Sequence, residues 1–520
     1  MRIFRWPFIF VLLFAVALRI HAAPAQTFPG VDEKWRRLES PHFELFSHAP
    51  DRESRELLRR LELLHAVFGE MVRTQEQRPN LVTIYYFSSE TAFNAYTPLN
   101  LRKKDRVAGF YLNRPDRSVI VVSPVWDDEG AQRLIFHEYV HHLSRVNGEN
   151  SALWYTEGIA EFFSTIDEDG KFLSLGLPVN EHVAYLREKR LMPLDALFSV
   201  DHTSSGYNET ERAGLFYAES WALLHYLYCA DIGRTPEKKA ARDVFLRLVR
   251  NEGEHGNPVE REALFKKCIG MDYQQALAAL ERYIRSGQYT WSKIATPSIP
   301  AMTTYTSTPL SRDEIRVRLA ELDLRVNRSA VAKLELLGAS TRDPIDVRAL
   351  EMLGTDALID GDIPLGMERW QQALEAGTTN PGVVHELATM EGRQWFSQLD
   401  VYFELPLPTA QRLRKLLLQS IDRAPNQTQA YETLAWVEAT VKKPSAKNVN
   451  LVQAHLPALS PRDRTLLALA LVRARLNDFA TARLLLDQAE KEATAPQALQ
   501  WSKILRAFVE RRESAAATPP

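Results

Sequence analysis

The sequence predicts an α+β domain followed by an all-α domain, and three observations carry that reading. Up to about residue 290, short β-rich runs such as H-F-E-L-F-S (42–47) and L-V-T-I-Y-Y-F (81–87) alternate with amphipathic helical stretches. Residues 290–310 are rich in Pro, Ser and Thr and have no periodicity, which marks a linker. Beyond residue 310 the pattern is helical throughout and weakly repeats itself. A chain of 520 residues has room for two or three domains with ample cores. The expected divisions are a targeting segment at 1–25, the α+β domain at 26–295, a linker at 296–310, the helical domain at 311–513 and a disordered tail at 514–520.

Arg2 and Arg5 form a charged start, and Phe8–Leu18 an apolar core too short to span a bilayer comfortably. Ala23-Pro24-Ala25 fits a small-x-small cleavage signal. Export to the periplasm or beyond is expected, with no membrane anchor after cleavage; a permanent anchor is disfavoured because Arg19 and Pro24 cut the apolar run short. Without Arg2, Arg5 and Arg19, Lys+Arg falls from 64 to 61 against 66 acids. A net charge near −5 argues against a nucleic-acid partner. Cys229 and Cys268 leave two options open, one disulfide or two separate thiols.

Asp51–Val72 places Leu57, Leu58, Leu61, Leu64, Val67 and Phe68 on one helical face. A strand at 81–87 and a short helix at 88–96 with a Ser N-cap follow. Val107–Leu112 and Ser118–Val122 flank N-R-P-D-R and read as a hairpin. The next helix begins a few residues later, so an edge strand should lie beside it, either as a place where a peptide could add as a further strand or as an ordinary sheet edge. After Phe163, Pro178 and Pro193 should break residues 173–200 into helical pieces. Gly214–Leu227 predicts a strong helix, and further helices are expected around 240–250, 260–267 and 273–286.

The chemistry concentrates in Arg133–Phe163. R-L-I-F-H-E-Y-V-H-H-L puts His137 and His141 four residues apart, on one helical face, where two imidazoles can converge on one metal ion. Glu138 lies one step round, placed to act as a base rather than a ligand. After a turn-rich break at 147–150, W-Y-T-E-G-I-A-E-F-F supplies Glu157, with Glu161 one turn later. Two nitrogens and one carboxylate oxygen, with a fourth position left to water, form the ligand set of a catalytic zinc site.

H-E-Y-V-H followed by W-Y-T-E-G-I-A-E resembles the gluzincin metallopeptidases, specifically the compact peptidase-MA-like group of exported bacterial proteins. The likeness covers roughly Trp35–Tyr289. It implies one Zn2+ per chain held by His137, His141 and Glu157, Glu138 as general base, and Glu161 as the carboxylate that orients the first histidine. It also implies a Tyr or His that stabilises the oxyanion, with Tyr217 first and His225 behind it. The His141–Glu157 gap is shorter than in the large aminopeptidase gluzincins, and no G-x-M-E-N element is present, so exopeptidase specificity is not carried over.

In the helical half, Leu350, Leu353 and Gly354 with Gly366, Trp370 and Ala373 share their offsets with Leu466, Leu469 and Ala470 with Ala482, Leu486 and Ala489. Tyr431, Leu434 and Ala435 begin a more degenerate copy. The pattern resembles tetratricopeptide repeats, which implies a concave surface for a peptide or protein partner. The sequence therefore predicts an exported zinc endopeptidase acting on peptide or protein, with the repeats docking its substrate. A binding protein on an inactive peptidase fold, and a zinc amidohydrolase acting on cell-wall fragments, are the alternatives.

Overall fold

The computed structural model describes residues 28–517 apart from 73–81, 100, 102–106, 108, 126–128, 147–150, 202–209, 231–234, 253–257, 424, 426, 460 and 494–495. The expected targeting segment and the break at 147–150 lie outside the described residues. The architecture is α+β. A mixed sheet has the order β4-β5-β3-β2-β1-β9, formed by β1 (Arg36–Glu39), β2 (Phe43–Ser47), β3 (Val82–Tyr86), β4 (Gly109–Asn113), β5 (Ser118–Val122) and β9 (Thr306–Pro309). The central strands β2, β3 and β5 run parallel and are buried from end to end. Parallel strands covered on both faces need apolar side chains in both directions, hence the V-I-V-V run of β5.

Strand alternation feeds two separate cores. Leu45, Ile84, Ile120 and Val122 pack with α1 (Asp51–Val72), α3 (Glu129–Val146) and α4 (Leu153–Ser164). Phe46, Tyr85, Val119 and Val121 point the other way and pack with Ile315, Leu319, Leu322 and Leu336 of the helical half. On α1 the six residues expected to face the core are all buried. Ser89 caps α2 (Glu90–Tyr96) by accepting from the Ala92 amide.

Three expectations are corrected. Residues 296–310 are not a free linker: β9 hydrogen-bonds to β1 as the outer strand, and the Leu310 amide donates to the Trp35 carbonyl at 3.0 Å. An edge position tolerates Pro309, and a four-residue polar strand carries no apolar alternation by which to read it. Residues 173–200 are not helical throughout. A three-stranded sheet β6-β7-β8 joins β6 (Asp167–Glu168), β7 (Phe172–Leu175) and β8 (Ser292–Ala295), before α5 (Asn180–Glu188) and α6 (Leu194–Phe198). Of the expected tail, residues 514–517 continue the last helix, Pro496–Ala517.

The remaining helices of the first half are α7 (Thr210–Cys229), α8 (Pro236–Glu252), α9 (Pro258–Ile269) and α10 (Tyr273–Ser286). Helix pairs then follow: α11 (Arg312–Asn327) with α12 (Ala330–Ala339), α13 (Val347–Ile359) with α14 (Ile363–Glu375), α15 (Pro381–Phe396) with α16 (Leu407–Arg423), α17 (Thr428–Thr440) with α18 (Ala446–His455), and α19 (Asp463–Arg475) with α20 (Phe479–Glu492), closed by α21 (Pro496–Ala517). The buried residues of α14 are Gly366, Trp370 and Ala373, and those of α20 are Ala482, Leu486 and Ala489. Helix α12 buries Ala332, Leu336 and Ala339, each 34 positions before its α14 counterpart, so the repeat begins one unit earlier than its sequence signal. Small residues let the helices of a pair touch: a Cβ on Gly354 would lie 2.3 Å from Trp370 Cδ1.

The two halves share a buried charge network as well as a core. Arg348 of α13 bridges Glu44 of β2 and Glu321 of α11, and Arg325 pairs with Asp116 in the β4–β5 turn. Burial opposes ionisation of Glu44, but Arg348, Arg117 and Arg37 outweigh it and hold its pKa down at about 2.

Candidate metal centre

Helix α3 lies against the sheet through Ile135, Phe136, Tyr139 and Val140. With 3.6 residues per turn, that leaves Arg133, His137 and His141 on one face turned away from it. Helix α4 meets that face with Glu157 and Glu161. Gly158 sets its depth, because a Cβ there would lie 2.7 Å from the Ser220 carbonyl of α7. The glycine of E-G-I-A-E is thus required for close helix packing beside the site.

His137, His141 and Glu157 form one group that could hold a metal ion. Nε2 of His141 lies 2.9 Å from Nε2 of His137, and Glu157 Oε2 lies 3.3 Å and 3.2 Å from those two nitrogens. A tetrahedron with metal–ligand bonds of about 2.0–2.1 Å has edges of about 3.3–3.4 Å. The observed triangle is close to one face of that figure. Glu157 is 3 % exposed, and its Oε2 has no hydrogen-bond partner among the described residues. A buried carboxylate oxygen left between two imidazole nitrogens is the donor arrangement that a divalent cation completes.

A second layer holds the first. Glu161 Oε1 lies 3.4 Å from His137 Nδ1, while its Oε2 lies 3.3 Å from His182 Nε2 of α5 and 3.4 Å from Arg133 Nη2. Such a carboxylate fixes the imidazole so that Nε2 faces the metal position. Burial alone would lower the His137 pKa, but Glu157 and Glu161 reverse this and push it up to about 10. Burial would likewise raise both carboxyls, yet His137 and His141 hold Glu157 down at about 2, and His137 and His182 hold Glu161 below the carboxylate range.

Glu138 is half-buried on the same helix. Its charge helps to raise the pKa of Tyr111 on β4, an effect led by burial of that hydroxyl. Glu138 precedes His142 by one turn, and His142 Nδ1 lies 3.2 Å from the Tyr111 hydroxyl, so Glu138 lies on the side of the helix towards β4, the outermost strand there among the described residues. His142 belongs to the sheet side. It is buried, and its Nδ1 lies 3.0 Å from Ser118 Oγ and 3.2 Å from the Tyr111 hydroxyl. Burial pushes its pKa down to about 3.

The two oxyanion candidates separate. Tyr217 of α7 is half-buried, with its ring 6.3 Å from that of His137. His225, two turns on, has both ring nitrogens engaged elsewhere, at 2.7 Å from the Gly176 carbonyl and 2.8 Å from the Tyr283 hydroxyl. It is buried among Phe162, Trp221 and Tyr289, so its expected role as the reserve candidate is withdrawn. Cys229 and Cys268 are both free thiols. Among the described residues no helix is long and apolar enough to cross a membrane.

Sequence reasoning missed two residues, Arg133 and His182. Arg133 was legible, being one turn before His137 on the same face. His182 had no signal, because only the fold brings α5 against Glu161. The chain matches no protein-family model and no curated protein.

Proposed function

We propose that this protein is a zinc-dependent endopeptidase of the gluzincin type, exported, with tetratricopeptide-like repeats that dock its peptide or protein substrate. The observation that carries this reading is the His137–His141–Glu157 triangle, whose edges suit tetrahedral zinc and whose carboxylate oxygen has no other partner among the described residues. His137, His141 and Glu157 would hold the ion, which supplies Lewis acidity and a water of lowered pKa. Glu138, next to the first ligand and on the edge-strand side, takes the proton of the attacking water and returns it to the leaving amine. Tyr217, whose ring lies 6.3 Å from that of His137, would donate to the developing oxyanion. Among the described residues no strand pairs with the outer edge of β4, and an extended peptide would add there with its scissile bond along α3. The 34-residue spacing between α12 and α14 supports the repeat assignment.

The test combines metal analysis of the purified mature chain with incubation on a mixed peptide library. One zinc per chain and internal cleavage are expected. Glu138→Gln should retain the metal and lose cleavage, since an amide cannot accept the proton. Near-normal turnover in that variant rules out the assigned base.

A further inference from the structure

Away from the metal centre, a cavity of about 440 Å³ opens between the sheet and the repeats. That is the size of a small-molecule site. Four guanidinium groups line it, from Arg37 on β1, Arg117 in the β4–β5 turn, Arg348 on α13 and Arg423 at the end of α16. Three acids line it too, but Glu44, Asp116 and Glu351 are each no more than 5 % exposed. All three are engaged beneath the surface. Glu44 pairs with Arg37 and Arg348, Asp116 with Arg325, and Glu351 with Arg117 while accepting from Thr378 and Asn380. Arg37, Arg117 and Arg348 are themselves partners in these pairs, so the four guanidinium groups exceed the three lining acids by one positive charge. Arg423 is the least compensated: its one hydrogen bond among the described residues is a 2.7 Å bond to the Thr379 carbonyl, and it forms no ion pair among them. Arg117 Nε is buried and has no hydrogen-bond partner among the described residues, although Asp116 lies 3.5 Å away.

We propose that this cavity binds a small oxyanion, a carboxylate or phosphate group, with Arg423 as the principal cation and Arg37, Arg117 and Arg348 completing the cradle. Planar guanidinium forks suit both groups. An occupant would bridge the repeats to the turn that follows β4, and so tie the helical half to the edge strand beside the metal centre. The site does not depend on the peptidase reading, because no metal ligand takes part in it.

The full-length protein should be titrated by calorimetry at constant ionic strength set with chloride. The probes are inorganic phosphate, acetyl-trialanine with a free carboxylate, and the same peptide as its amide. Saturable one-site binding of phosphate or of the free acid is expected, with the amide silent. Phosphate alone identifies a phosphate ligand, the free acid alone a peptide terminus, and both together a general oxyanion site. Arg423→Ala and Arg423→Gln should each weaken binding at least tenfold, whereas Arg412→Ala, on the same helix outside the cavity, should not. Absence of saturable binding by either anion overturns the proposal. So does unchanged affinity in whichever Arg423 variant melts within a degree or two of the parent.

Discussion

The two faces of the central sheet bury the same kind of group in opposite ways. On the repeat side, Glu321 is fully buried and ringed by Arg348, Arg325, Arg318 and Arg117, which hold its pKa well below the ordinary carboxylate range against the cost of burial. On the other side, Glu157 is also buried, yet its partners are two imidazoles and its Oε2 has no hydrogen bond among the described residues. Buried carboxylates surrounded by guanidinium groups act as structure, since breaking such a set leaves an uncompensated charge. A buried carboxylate facing two neutral-capable nitrogens is open to a cation. The number and type of partners, rather than burial, separates scaffold from site.

The largest break in that contrast is to remove the repeat side. A fragment ending at residue 295 loses β9 and uncovers Phe46, Tyr85, Val119 and Val121. It should be insoluble or unfolded, as judged by solubility and circular dichroism, even though His137, His141 and Glu157 are all retained. A soluble, cooperatively melting fragment would show that the shared core is dispensable.

Next in size is the loss of a ligand. His141→Ala should abolish stoichiometric zinc, measured by elemental analysis. His142→Ala should keep the zinc and lose only stability, about 1–3 kcal/mol, from its buried polar contacts with Ser118 and Tyr111. Equal zinc retention in the two variants sinks the assignment of faces on α3.

On the repeat side, Arg348→Ala strands Glu44 and Glu321 and should cost about 3–5 kcal/mol in denaturant melts. Glu161→Ala acts one layer behind the metal and should weaken zinc affinity about 10–100-fold, without unfolding the chain. An effect confined to stability would make Glu161 a packing residue.

The smallest effect is on pH dependence. The folded pKa of Glu44 is about 2, below its ordinary 4.5. Its contribution is therefore present above about pH 4.5 and lost as pH falls towards 2. Glu44→Gln should be less stable at neutral pH and show a shallower acid limb in urea melts than the parent. An unchanged limb would place the acid sensitivity in other carboxylates.

Much of this was legible locally. The α1 face, the β4–β5 hairpin, the Ser89 cap and the His137–His141–Glu157 set follow from short-range rules of period, capping and ligand spacing. So did the repeat units at Leu350 and Leu466, because small and large residues recur at helix contacts. Strand β9 was not legible, since four residues whose pairing is made by backbone leave no side-chain pattern. Nor were His182, the exclusion of His225 or the shared charge network, each of which joins residues distant in sequence. Helix phase, and with it the shared face of His137 and His141, was determined by the sequence, because it depends on neighbours within one or two turns. Which buried charges are neutralised, that Glu157 meets His137 and His141, and that the two halves share one core were decided only by the tertiary structure, because burial and electrostatic partnership depend on distances that the chain order does not contain.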